Sequence, residues 1–124
     1  MVEHTVPTLD EAALTSLHSA LDDDFSEVVS LYLAQTPELL EAVRYSYDAQ
    51  AYEQARQAVH TIKGSSSNLG AKRLVMLAQQ LEDELKSTTA AFESFSSDYE
   101  QLLMEYSSVE KMIRAYCQRC NISF

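Results

Sequence analysis

Apolar side chains recur along the chain at three- and four-residue steps, the period of helices with one buried face. The spacing predicts a short first helix from about Leu9 to Leu21, carrying Leu9, Leu14, Leu17 and Leu21, with Thr8 or Asp10 as its cap. Asp22-Asp23-Asp24 interrupts it and places carboxylates at the start of the next helix, where the helix dipole favours them. The second helix spans about Phe25 to Tyr47, with Phe25, Val28, Val29, Tyr32, Thr36, Leu39, Leu40 and Val43 on one side. Pro37 in its middle lacks a backbone donor and is expected to kink or split it. A third helix follows at about Ala51 to Asn68 and a fourth at about Ala71 to Lys86. The polar stretch from Ser87 to Ala91 reads as a loop. The last helix, about Phe92 to Arg119, carries Phe95, Tyr99, Leu102, Tyr106, Val109, Ile113, Tyr116 and Cys120 in alternating steps of four and three. In a short chain such a seam packs on neighbouring helices of the same molecule, so the pattern predicts an all-α, antiparallel four-helix bundle with a short additional N-terminal helix.

Composition supports this pattern. With 124 residues the chain is expected to form a single domain over 1–124, and its two glycines and two prolines are too few for a turn-rich β fold. Nine basic against 19 acidic side chains give a net charge of −10, which opposes nucleic acid and anionic membrane as partners. No secretory signal is evident and the two cysteines are too few for a disulfide framework, so the expected compartment is the cytoplasm. Cys117 and Cys120 form a CxxC without further metal ligands in sequence reach, and they read as small fillers on the seam. No metal site is expected.

Candidate chemistry concentrates on the third helix. Tyr52, Ala55, Val59, Ile62 and Ser66 form a core face, leaving Glu53, Arg56, Gln57, His60, Lys63, Gly64 and Ser67 on a face without large apolar groups. His60 therefore points outward, with Lys63 and Gly64 one turn on. Glycine inside a helix costs about 1 kcal/mol relative to alanine. Gly64 thus suggests a surface kept low for an approaching backbone or tetrahedral group. Gly70, just past the expected helix end, reads as the left-handed residue that stops it. From Gln54 to Leu81 no acidic residue occurs, while Arg56, Lys63, Lys72 and Arg73 do; this island implies a positive field at the ring. Arg56 itself reads as a solvated face residue. Neutral imidazole is nucleophilic near pH 7, and phosphoryl transfer asks mainly for positioning and a cation. His60 fits as the acceptor, Lys63 as the cation and Ser67 as a hydrogen-bond donor. Ser65, Ser66 and Ser67 lack the strand and glycine elbow of a serine hydrolase.

The run His60-Thr61-Ile62-Lys63-Gly64-Ser65-Ser66-Ser67-Asn68-Leu69-Gly70-Ala71 resembles the signature of histidine-containing phosphotransfer (HPt) domains. It continues through Leu74 and Leu77-Ala78-Gln79-Gln80-Leu81-Glu82, is dense over about 52–85, and is looser from Phe25 to Leu40. The resemblance implies a phosphorelay carrier of multistep two-component signalling. It would take a phosphoryl group on His60 from a receiver-domain aspartate and pass it to another receiver. Lys63 would neutralise the phosphate and Gly64 would give clearance. The resemblance further implies no kinase activity and no cofactor on this chain, with Mg2+ on the partner receiver. The partners would be response-regulator receiver domains or a hybrid sensor histidine kinase, and the carrier a monomer. A helical adaptor or dimerisation module using the long last helix, without phosphoryl chemistry, is the alternative that the bundle pattern leaves open.

Overall fold

The computed structural model describes residues 6–87 and 94–124. Among them it is helical throughout: α1 Glu11–Leu21, α2 Phe25–Asp48, α3 Tyr52–Asn68, α4 Lys72–Lys86 and α5 Phe95–Arg119, with one 3-10 turn at Asp22–Asp24. Most of the expected loop from Ser87 to Ala91, and the expected helix start at Phe92, lie outside the described residues. Short connections fold α2 to α5 back on one another as a four-helix bundle, and α1 lies against α2 and α3. The core is continuous and includes Leu14, Phe25, Val29, Val43, Ile62, Leu74, Leu81, Leu102 and Ile113. The α5 seam is buried in this core up to Tyr116, and Cys117 is buried with it. Cys120 is not a seam filler: it caps the end of α5 and is exposed, because the helix stops at Arg119.

Asp10, rather than Thr8, caps α1, its carboxylate accepting from Ala13 N at 3.2 Å. The same segment is fastened to the α3–α4 turn. Asp10 N donates to Gly70 O at 2.8 Å and Arg73 N to Pro7 O at 3.2 Å. At the other end of α1, His18 stacks on Phe25, and its Nδ1 lies 3.0 Å from Tyr116 Oη on α5.

Pro37 does not split α2, which runs unbroken for 24 residues. The missing N–H at Pro37 would have bonded the carbonyl of Leu33, and Tyr106 Oη from α5 donates to that oxygen instead, at 3.4 Å. Tyr99 Oη donates to Leu40 O at 2.6 Å, and Tyr47 stacks on Phe95. The α2–α5 side of the bundle is therefore built from aromatic rings whose hydroxyls serve the α2 backbone around its proline. Burial pushes the Tyr106 phenol well above its ordinary pKa, so it stays a donor. Tyr106→Phe is expected to lower unfolding free energy by about 1 kcal/mol. The loss should shrink in a Pro37→Ala background, where the backbone donor returns; paired urea titrations measure both.

Candidate functional site

The α3 sequence builds the site by separating two faces. Ala55, Val59 and Ile62 are fully buried against the bundle, which turns His60 outward with 62% of its side chain exposed. Ser66, also buried, satisfies its hydroxyl against Tyr32 Oη at 2.7 Å. Burial pushes the Tyr32 phenol up to about 12, against its bonds to Ser66 and Thr36, so this pair is a structural tie of α3 to α2. Ser65 bonds back to the carbonyls of Thr61 and Ile62.

The turn after α3 has the two bonds of a Schellman motif: Ala71 N donates to Ser66 O and Gly70 N to Ser67 O. Gly70 occupies the left-handed position with φ 81, and a Cβ there would stand 2.9 Å from Asp10 O. The glycine thus ends α3 and also admits the α1 segment. Gly64 differs: a Cβ at that position would meet nothing within 4 Å. Packing inside this chain does not require a glycine there.

Glu82 of α4 lies at the centre of the site, 2% exposed. Its Oε2 lies 3.1 Å from His60 Nδ1 and 3.3 Å from Arg56 Nη1, and its Oε1 accepts from Lys63 Nζ at 2.8 Å. Lys86 stands 4.0 Å away. Lys63 also donates to Gln79 Oε1 at 2.7 Å, and Gln79 donates to Asp83 at 2.9 Å. Burial raises the pKa of the Glu82 carboxyl. The hydrogen bond and charge of Lys63, then those of His60, outweigh it and hold the group below the usual carboxylate range. An ionised carboxylate only accepts, so the proton between Glu82 and His60 belongs to Nδ1. The Nε2 lone pair is then the free one, on an exposed ring.

Two expectations from sequence change. The island of four cations is not a bare positive field. Arg56 pairs with Glu53 and Glu82, Lys63 with Glu82, Lys72 with Asp10 and Arg73 with Glu105. Each carboxylate comes from just outside the acid-free stretch or from another helix. Arg56 is likewise no solvated face residue: its guanidinium is 23% exposed, bridging two carboxylates. Ser67 is exposed, two turns beyond His60 and outside the Glu82 cluster. Sequence reasoning missed Glu82 as a site residue, although its place beside Leu81 in the apolar stripe of α4 was a signal.

An exposed imidazole whose inner nitrogen is held by a carboxylate, with an ammonium one turn on, on a helical bundle, defines a histidine phosphotransfer module. The chain belongs to the Hpt domain family, whose model matches residues 27–113. Its role is histidine phosphotransfer in phosphorelay signalling, and members of the family are carriers rather than kinases. In fold it is similar to the crystal structure of histidine-containing phosphotransfer protein B from Pseudomonas aeruginosa PAO1. That likeness has a TM-score of 0.85 at 24% identity and covers 93% of this chain and 98% of the other. No curated protein sequence matches the chain. No helix among the described residues is long and apolar enough to cross a membrane.

Proposed function

We propose that His60 Nε2 is the phosphoryl acceptor, that the donor is the aspartyl phosphate of a receiver domain, and that the group later passes to another receiver. The observation that carries this reading is the His60 Nδ1–Glu82 contact at 3.1 Å. In the step, the Nε2–P bond forms as the acyl O–P bond breaks, and the receiver carboxylate leaves. The ring keeps its Nδ1 proton and gains positive charge, which Glu82 meets, as the carboxylate does in a Ser-His-Asp triad. Lys63, held between Gln79 and Glu82, stands one turn from the ring to offset the charge of the phosphoryl oxygens. Any Mg2+ belongs to the receiver in this scheme, and the carrier acts as a monomer in the cytoplasm.

The groove between α2 and α3 beside His60 suits the receiver. It is lined by Val28, Leu31, Gln35 and Leu39 from α2 and by Thr61 and Ser65 from α3. Leu31 is 55% exposed, an apolar side chain without a cover in the free chain. Incubation with a phosphorylated receiver tests the function. The expected product is acid-labile and alkali-stable, as a phosphoramidate is, and maps to His60; an acid-stable ester on serine would overturn it.

Gly64 supplies a separate check. Because nothing in the chain opposes a Cβ there, Gly64→Ala is expected to raise unfolding free energy by about 1 kcal/mol. Transfer should nevertheless slow severalfold, because the added methyl stands where the receiver must approach. Stability and transfer rate, measured on one preparation, should move in opposite directions.

A further inference from the structure

The opposite flank of α4 carries a second feature that histidine chemistry does not use. Between α4 and α5 lies a notch of about 230 Å³ lined by Arg73, Leu77, Gln101, Met104, Glu105 and Ser108. Glu105 is 8% exposed, yet its Oε2 is buried without a hydrogen-bond partner, an arrangement proteins rarely leave uncompensated. Its other oxygen has Arg73 Nε at 3.5 Å, too long for a good hydrogen bond, and Arg73 is half exposed. Leu77 and Met104 give the notch apolar walls, and Met104 is 71% exposed. The notch is smaller than a typical cofactor pocket and of a scale for one long side chain.

We propose that this notch is a second recognition site, taking a lysine or arginine side chain of a partner protein onto Glu105 Oε2. The chemistry fits in three respects. A cationic donor is the complement of a buried carboxylate oxygen that lacks one. The aliphatic stem of such a side chain would lie along Leu77 and the flexible Met104 thioether. The chain's charge of −10 draws basic partners towards it. Because His60 and Lys63 address the α3 side of α4 while Arg73 and Leu77 address α5, both sites can be occupied together.

Two measurements on the full chain decide it. Nα-acetyl-lysine methylamide and its arginine counterpart should produce saturable shifts of the Met104 and Leu77 methyl resonances. The uncharged norleucine analogue should not, and Glu105→Gln should weaken the response at least tenfold. His60→Gln should titrate like the wild type, so the site stands independently of the phosphoryl acceptor. Removing an unsatisfied acceptor should also stabilise the free protein, so Glu105→Met should raise Tm by about 3–6 °C. Equal shifts with norleucine, no saturation, or a Tm that falls with Glu105→Met would overturn the proposal; the last would make Glu105 a structural partner of Arg73.

Discussion

His60→Gln should accept no label from a phosphorylated receiver while keeping its fold. The ring is 62% exposed and makes one side-chain contact, to Glu82, which a glutamine amide can partly replace. The stability change should therefore stay within about 0.5 kcal/mol, the range of surface substitutions. Rate and stability separate here because the imidazole contributes a nucleophilic nitrogen to transfer and almost no buried area to the bundle. Time courses of label transfer, with a thermal melt of the same variant, check both halves. A variant that takes label as the wild type does would remove His60 from the mechanism.

The second large effect belongs to Glu82. Glu82→Gln keeps the shape but removes the charge that holds His60 Nδ1–H, Lys63 and Arg56 together. Transfer should slow by about 10- to 100-fold, the usual cost of losing a carboxylate that orients an imidazole. Stability should fall by about 1–3 kcal/mol at neutral pH, since hydrogen bonds to a charged, buried group are lost. The sign with pH follows from the lowered pKa of Glu82. Its stabilisation is fully present above the unfolded carboxylate value of about 4.3 and disappears as pH falls through the lower folded value. The wild type should thus exceed Glu82→Gln in stability between pH 6 and 8, and the two should converge in acid. A constant gap across that range would mean that the charge on Glu82 is not what stabilises the cluster.

Much of this was legible in the chain itself. The core faces of α3 and α5 follow directly from spacing, and the His60–Gly70 run carried the family resemblance. What escaped lies between helices rather than along them. Pro37 reads as a break because its lost donor is local, whereas Tyr106, which answers it, is 69 positions away. Glu82 reads as a member of α4 because only the α3–α4 packing brings it under His60. The four cations between Gln54 and Leu81 looked like an unmatched field for the same reason: Asp10, Glu82 and Glu105 reach them through tertiary structure.

The most direct test is nitrogen-15 NMR of the His60 ring before and after phosphorylation by a receiver. The free chain should show the tautomer protonated at Nδ1 with a bare Nε2, and the loaded chain should show phosphorus coupled to Nε2 while Nδ1 keeps its proton towards Glu82. A free ring protonated at Nε2, or phosphorus on Nδ1, would contradict the account.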